Sequence, residues 1–301
     1  VEPEMVNPYS DLARAHPDWV LAEPGRWPLT ARNQLVLDVA NPDAWAYLLE
    51  RLDALVREIG VDYLKWDHNR DLHEAVHAVQ GIASAGVHRQ TLAVYALLDA
   101  LRERHPTLEI ESCSSGGARV DLGILQRTDR VWGSDYNDAH DRQSIQRWTA
   151  MLLPPELVGC HVGPPTAHTT GRTASLTFRA LTALFGHAGI EWDITTCTDE
   201  ELRTLTTWAA LYKELRGLLH SGDVVRADHP DDGTWLHGVV ARDRGEAAFC
   251  YARLQTSPDG RTARLRLPGL DPASSYRVMR RDDAGRGGVR HSEPPGGRAA
   301  S

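Results

Sequence analysis

Hydrophobic residues recur at two spacings along the chain, and the spacing changes near residue 220. Between Asn41 and Gly60 the apolar side chains fall three and four positions apart, which predicts an amphipathic helix. Asn41 supplies an N-cap, Pro42 suits the first turn and Gly60 ends the segment. The same helical spacing returns in three later segments, at 94–101, 175–187 and 198–219.

Short β-rich runs alternate with these helices. They lie at 61–67, 108–112, 130–134, 157–162 and 190–194. Alternating strands and helices are typical of parallel βα units. We therefore predict an α/β fold in which residues 1–220 form most of a (β/α)8 TIM-type barrel, with chemistry at the carboxyl ends of the strands.

After Gly222 the apolar residues follow a period of two. The runs that show it are 235–240, 247–252, 263–267 and 276–279. Turn residues such as those at 257–260 separate them, so we predict a small antiparallel β domain over 221–301. The stretch from Asp283 onward is rich in Gly, Arg and Pro and is predicted to be a loose tail.

Composition narrows the class of protein. The 301 residues are 42% hydrophobic and 25% charged, which is ordinary globular usage. No run of about 18 apolar residues exists that would predict a membrane span, and a net charge of -8 argues against a nucleic-acid partner. The four cysteines are far apart without CxxC spacing, which disfavours a disulfide framework and predicts a cytoplasmic location.

The first candidate for chemistry is the run YLKWDHNR at 63–70. Lys65, Asp67 and Asn69 occupy alternate positions, so in an extended conformation their side chains point the same way. A lysine beside a carboxylate favours the ionised form that a carboxylate nucleophile requires. A solvated salt bridge at the strand end explains the same pattern, and spacing alone leaves both interpretations open.

A second carboxylate, Asp135, follows the predicted strand at 130–134 and lies three residues after Trp132. Ser134, Asp135 or Asp138 could instead cap the helix that follows. Two carboxylates on different strand ends of one barrel nevertheless form the pair that glycoside hydrolysis uses.

The run ESCSSGGAR at 111–119 ends another strand in small residues. Gly116 and Gly117 would allow close approach of the backbone to a ligand, although a simple turn explains them equally well. A phosphate cradle is disfavoured because the lysine and spacing of a P-loop are missing. Cys113 either lines a pocket or is a small buried side chain.

His73, Glu74 and His77 form a literal HExxH, the spacing that places two zinc ligands on one helix face with Glu as base. The extended form of the motif fails at Gln80 and Ala83, and no third ligand follows. A zinc hydrolase therefore remains a minor alternative.

Several longer motifs carry a resemblance to a known family. They are EPEMVNPYSDLARAHPDWVL, RNQLVLDVANP, YLKWDHNR, ESCSSGGARVDLG, WGSDYNDAHDR and GCHVGPPTAHTTGR. Together they resemble the bacterial α-galactosidases of glycoside hydrolase family 36, from Glu2 to about Leu219 and weakly beyond. The order and approximate spacing of six motifs make the resemblance specific.

The resemblance implies a retaining double displacement on terminal α-linked galactose of oligosaccharides such as melibiose or raffinose. Asp67 would be the nucleophile and Asp135 the general acid/base. The residues that would contact the galactosyl unit or line its pocket are Arg32, Lys65, Asn69, Cys113 and Trp132. The resemblance implies no cofactor and no metal site.

Other activities stay open on the same fold: hydrolysis of α-N-acetylgalactosamine, or galactosyl transfer. Relatives in this family are longer and often assemble into oligomers. We therefore expect this chain to begin within the third barrel strand and to lack the first two, which leaves an inactive truncated product as a further alternative.

Overall fold

Helices and strands alternate through most of the computed structural model of the chain, which describes residues 1–79, 82–228, 233–256, 264–283 and 285. The helices are α1 Asp11–Ala15, α2 Pro42–Ile59, α3 Val87–Arg104, α4 Leu122–Leu125, α5 Ala139–Thr149, α6 Leu176–Thr182 and α7 Asp199–Leu219. Short 3-10 helices lie at Pro17–Trp19, Pro155–Leu157 and Ile194–Thr196.

The strands lie between these helices and after them. They are β1 Met5–Val6, β2 Leu35–Val36, β3 Tyr63–Trp66, β4 Val76–Val79, β5 Ile82–Ala85, β6 Glu109–Ser112, β7 Arg130–Trp132, β8 Val158–Val162, β9 His187–Ile190, β10 Asp223–Ala227, β11 Thr234–Val240 and β12 Ala247–Arg253. The chain divides into two compact units, one of residues 1–136 and 148–159 and the other of residues 137–147 and 160–301.

Helix α2 confirms the clearest prediction from the sequence. The Asn41 side chain accepts hydrogen bonds from the backbone amides of Asp43 and Ala44, at 3.0 and 3.4 Å. Gly60 ends the helix in the left-handed conformation, with φ of 72°. The buried face of α2 packs against α3, whose Leu97 and other apolar residues are also buried.

The first unit contains a parallel sheet in which β3, β6, β7 and β8 are neighbours in that order. Its register places Lys65 opposite Glu111, and Trp132 opposite Gly159. Helix α3 lies between β3 and β6 along the chain, and α4 lies between β6 and β7. This is the parallel βα arrangement of part of a TIM-type barrel, as predicted.

An antiparallel hairpin of β4 and β5 lies between β3 and α3, and the sequence pattern did not predict it. Val76 pairs with Ala85 at its open end. A second small pairing, of β1 with β2, holds the first residues of the chain beside Leu35 and Val36.

In the second unit, β9 is the neighbour of β8, and α7 packs against α6 and β12. Helix α7 begins with the predicted capping box, in which Thr198 and Glu201 each satisfy the other's backbone amide. Strands β10, β11 and β12 form an antiparallel sheet, which confirms that part of the fold prediction. Among the described residues, no helix is both long and apolar enough to cross a membrane.

Some predicted boundaries in this unit are wrong. Helix α6 is shorter than the predicted 175–187, and β9 precedes the predicted 190–194 because Asp193 instead starts a 3-10 helix by accepting the Thr195 amide. Strand β10 was not predicted.

The two predicted strands that follow β12 are also wrong in their described parts. Residues 264–267 and 276–279 are not strands. In the second segment, the Tyr276 hydroxyl donates a 2.9 Å hydrogen bond to the Arg244 carbonyl. The predicted turn at 257–260 and the tail beyond residue 285 lie outside the described residues.

Candidate active site at the carboxyl ends of the parallel strands

Asp67 follows β3 directly, at the carboxyl end of a strand with alternate residues buried. Leu64 and Trp66 of this strand are buried in the hydrophobic core, while Lys65 points to the opposite face. Trp66 is anchored there by a 2.9 Å hydrogen bond from its indole Nε1 to Glu4 Oε1. The alternation predicted from the sequence is therefore present, and it directs Lys65 and Asp67 away from the core.

Three donors surround the Asp67 carboxylate. The His68 amide donates to Oδ1 at 2.9 Å, and Asn69 Nδ2 donates to Oδ2 at 2.7 Å. The Cys113 thiol donates a third hydrogen bond. Burial raises the pKa of Asp67, but these hydrogen bonds and the charge of Lys65 outweigh it, so the pKa lies below its usual value. The carboxylate is held in its ionised form.

The pKa of Cys113 is shifted in the opposite direction to that of Asp67. Burial and its hydrogen bond to Asp67 raise the pKa of the Cys113 thiol to about 12. The thiol therefore stays protonated and acts as a donor to the carboxylate, not as a nucleophile.

The loop after β6 connects the Asp67 region to Asp135. Asn69 Oδ1 accepts a 3.2 Å hydrogen bond from the Ser115 amide. Gly116 has φ of 82°, and a Cβ there would lie 2.8 Å from the Asp135 backbone nitrogen. A Cβ on Gly117 would lie 2.6 Å from the Gly133 carbonyl oxygen. The two glycines are therefore required for the loop to pack against residues 133–135.

Asp135 is exposed, and its Oδ1 accepts a 3.1 Å hydrogen bond from the Trp132 indole Nε1. It lies four residues before the start of α5. The residue that satisfies the first turn of α5 is Asp138, whose Oδ1 accepts from the His140 amide at 2.8 Å. Ser134 accepts from the Tyr136 amide at 3.1 Å. Asp135 is therefore free of the capping role that the sequence left open.

Lys65 lies beside the same tryptophan. Its Nζ is 4.8 Å from the centre of the Trp132 ring and 3.6 Å from Glu111 Oε1. Trp132 thus contacts a cation on its ring face and a carboxylate at its Nε1. The structure brings together Lys65, Asp67, Asn69, Cys113, Trp132 and Asp135.

Arg32 stands apart from this group. It is exposed in a tight turn closed by the bridge between Ala31 and Gln34, with φ of 53°. Within the described part of the chain, no hydrogen bond or ion pair joins its guanidinium to the other predicted site residues. The link is indirect, since Gln34 Nε2 and Asn69 Nδ2 both donate to the Glu2 carboxylate.

Sequence reasoning missed three carboxylates around this site. Glu2 binds Asn69, as described above, and Glu4 is buried against Trp66 and Arg119. Glu111 is buried beside Lys65. The sequence shows Glu2 and Glu4 at alternate positions, and Glu111 two residues before Cys113. The contacts of these carboxylates, however, depend on tertiary pairing.

The HExxH segment is not a zinc-binding helix. His73 and Glu74 lie in a turn and His77 lies in β4, so they do not share a helix face. Glu74 Oε2 accepts from the Leu29 amide at 2.8 Å, and His77 Nδ1 lies 2.6 Å from Asp38 Oδ2. Among the described residues, no group of three or more His, Cys, Asp or Glu side chains is arranged to hold a metal ion. These contacts overturn the zinc-hydrolase alternative.

An ionised carboxylate and a second carboxylate at the carboxyl ends of two strands of one (β/α) sheet are typical of barrel glycoside hydrolases. Residues 1–222 match the family model described as Melibiase, and residues 235–293 match the glycosyl hydrolase family 36 C-terminal domain. The chain belongs to the melibiase family, glycoside hydrolase family 36, and the resemblance drawn from its motifs is confirmed.

Individual relatives agree with this assignment. An Escherichia coli α-galactosidase is 45% identical over 278 residues, which cover 92% of this chain and 39% of the relative. The crystal structure of the family 36 α-galactosidase AgaA from Geobacillus stearothermophilus superposes with a TM-score of 0.85 at 37% identity, covering 90% of this chain and 38% of that one. The chain therefore spans about two fifths of the length of these relatives.

AgaA variants have also been crystallised with oligosaccharides. One such structure contains raffinose and matches this chain with a TM-score of 0.85 at 36% identity, covering 90% of this chain and 38% of the other. Another contains stachyose and matches with a TM-score of 0.86 at 36% identity, covering 91% and 38%.

Proposed function

We propose that the protein is a retaining α-galactosidase, which hydrolyses terminal α-linked galactose from oligosaccharides of the melibiose and raffinose type. The observation that carries the proposal is the Asp67 carboxylate, held ionised by three hydrogen-bond donors at the end of β3. A nucleophilic carboxylate must be ionised to attack, and this one is.

In the proposed reaction, an Asp67 oxygen attacks the anomeric carbon of the galactosyl unit. Asp135 gives its proton to the glycosidic oxygen, so the bond to the leaving sugar breaks and a galactosyl ester of Asp67 forms. Asp135, now ionised, takes a proton from water, whose oxygen attacks the same carbon and releases Asp67. Two inversions give net retention, which requires the two carboxyl groups to lie about 5–5.5 Å apart with substrate bound.

The remaining residues bind the sugar in this proposal. Lys65 and Asn69 would donate to galactosyl hydroxyls near the nucleophile, and Cys113 would line the pocket beside them. Trp132 would cover one side of the pocket. Arg32 would approach from the exposed turn, which lies next to the Glu2 that binds Asn69.

Oligosaccharides are the proposed substrates because relatives have been crystallised with raffinose and stachyose. The test is hydrolysis of p-nitrophenyl α-galactoside and raffinose, with the anomer of the released galactose followed by NMR. Initial release of the α-anomer supports the proposal, and release of the β-anomer contradicts retention. Running the 301-residue chain beside the full product of its gene separates an incorrect function from an incomplete site.

If neither protein cleaves the galactoside, the α-galactosidase assignment fails, and the matching N-acetylgalactosaminide is the next substrate. Release of sugar to an added acceptor, measured against release to water, would identify a transferase.

The division into a catalytic domain of residues 1–220 and a β domain of 221–301 is part of this proposal, and limited proteolysis tests it. A cytoplasmic location is also proposed, supported by four free cysteine thiols, and cell fractionation tests it. Assembly into a homo-oligomer is the third part, tested by light scattering.

A further inference from the structure

Glu111 is a buried carboxylate on the same sheet face as Lys65. It is 1% exposed and lies on β6, opposite Lys65 in the register with β3. Its Oε2 accepts a 2.6 Å hydrogen bond from the Tyr63 hydroxyl, and its Oε1 lies 3.6 Å from Lys65 Nζ. A buried carboxylate is costly unless a cation and donors compensate it, so Lys65 and Tyr63 account for its presence.

The neighbouring strand is shaped to hold this carboxylate. A Cβ on Gly159 would lie 2.9 Å from Glu111 Oε2 and 3.2 Å from the Trp132 ring. Any larger residue at this position of β8 would push the carboxylate or the indole out of place. Lys65, Glu111 and Trp132 are thus packed as one group on three strands, with Gly159 of β8 against them.

Lys65 links Glu111 to both proposed catalytic carboxylates, through the Trp132 ring on one side and through its charge on the other. Its ammonium lies over the Trp132 ring, and Trp132 Nε1 donates to Asp135. Its charge also acts on Asp67. The position of the Lys65 side chain therefore affects both Asp67 after β3 and Asp135 after β7.

We propose that Glu111 is a positioning residue, whose carboxylate holds the Lys65 ammonium against the Trp132 indole and beside Asp67. The effect of Glu111 on galactoside hydrolysis rests on the proposed function, whereas its effect on the position of Lys65 does not. Glu111 itself contacts no reacting atom in this proposal.

Lys65 can be observed directly, because Lys65 and Lys213 are the only lysines in the sequence. Labelling lysine with ¹³C gives two ε-methylene NMR signals, which Lys213→Arg assigns. In the wild type, we expect the Lys65 signal to be shifted by the ring current of Trp132. Glu111→Gln should lose that shift. The matched control is Glu109→Gln, which changes an exposed carboxylate on the same strand, paired with Arg130, and should retain it.

The kinetic arm uses p-nitrophenyl α-galactoside. Glu111→Gln should raise KM about tenfold and change kcat less, because Lys65 would bind the sugar in ground and transition states alike. Glu109→Gln should change neither. A general loss of packing would instead lower the melting temperature, and it would not raise KM selectively over kcat.

An unchanged Lys65 signal in Glu111→Gln would overturn the inference. If that variant does not fold, Glu111→Asp decides it, since the shorter side chain retains the charge and should shift the Lys65 signal partway. If neither the 301-residue wild type nor the full gene product cleaves the galactoside while Glu111→Gln still displaces Lys65, the proposed function fails and the positioning of Lys65 stands.

Discussion

The ends of β3 and β7 carry the same residue type in very different surroundings. Each strand ends near a buried tryptophan, and each is followed by an aspartate. Asp67 receives hydrogen bonds from a backbone amide, an amide side chain and a thiol. Asp135 is exposed and receives a hydrogen bond from the Trp132 indole. Two aspartates that follow strands of one sheet therefore have different chemical surroundings.

The difference matches the two tasks in the proposed reaction. Donors that favour the ionised form suit a nucleophile, which must never hold a proton while it attacks. An acid/base must gain and lose a proton in each cycle, and an exposed carboxylate can exchange one with water.

Removing the Asp67 carboxylate should have the largest effect. Asp67→Ala should lower kcat/KM by about 10⁴-fold or more, because no ester can form without the nucleophile. Added azide should restore release of the leaving group and give the β-galactosyl azide, with inverted configuration. The measurement is p-nitrophenol release, with the azide product identified by NMR.

The matched control is Asp71→Ala, which removes an exposed carboxylate four residues further along the chain. It should retain nearly full activity. Activity in Asp67→Ala at the level of this control would exclude Asp67 as the nucleophile.

Removing the Asp135 carboxylate should have the second largest effect, about 10²- to 10⁴-fold on kcat/KM for substrates with a poor leaving group. The loss should shrink for a dinitrophenyl galactoside, because that leaving group needs little proton donation. Azide should here give the α-galactosyl azide, since it attacks the ester on Asp67. A loss of kcat/KM of equal size for both leaving groups would contradict the acid role of Asp135. It would also remove the expected difference between the Asp135 and Asp67 variants.

Much of this comparison could be predicted from the sequence, because it depends on local pattern. The caps of α2 at Asn41 and Gly60, and the alternation of Lys65 with Asp67, follow from residues close together in the chain. The sequence could not show which residue caps α5. Asp135 and Asp138 are equally suitable types, and only the backbone geometry assigns that role to Asp138.

Contacts between distant segments could not be predicted from the sequence, because they depend on how the strands pair in the folded chain. Cys113 reaches Asp67, and Glu111 reaches Lys65, because β6 pairs with β3 in one particular register. A shift of that register by one residue would turn both side chains to the other face. The β4–β5 hairpin was missed because the HExxH spacing, which runs from the preceding turn into β4, mimics one turn of helix.

A moderate effect is expected when one donor to Asp67 is removed. Asn69→Ala loses the 2.7 Å hydrogen bond that lowers the pKa of Asp67, so that pKa should rise. Since Asp67 must be ionised, the acid limb of the kcat/KM profile should move to higher pH. We also expect a loss of about tenfold at neutral pH from the missing hydrogen bond.

Asn41→Ala is the control for this change. It removes the N-cap of α2 and should cost about 1 kcal/mol of stability, without moving the acid limb. If the acid limb of Asn69→Ala coincides with that of the wild type, the donors around Asp67 do not govern its ionisation, and the contrast with Asp135 loses its basis.

The smallest effect should come from the HExxH segment. His73 is exposed and pairs with Asp71 across the turn before β4, so His73→Ala should change kcat/KM by less than about twofold. Dialysis against EDTA should leave the activity of the wild type unchanged. Activity lost to EDTA and restored by zinc would overturn this expectation. Helical spacing yields a metal site only on a helix, and in this chain the spacing falls on a turn and a strand, where His77 instead binds Asp38.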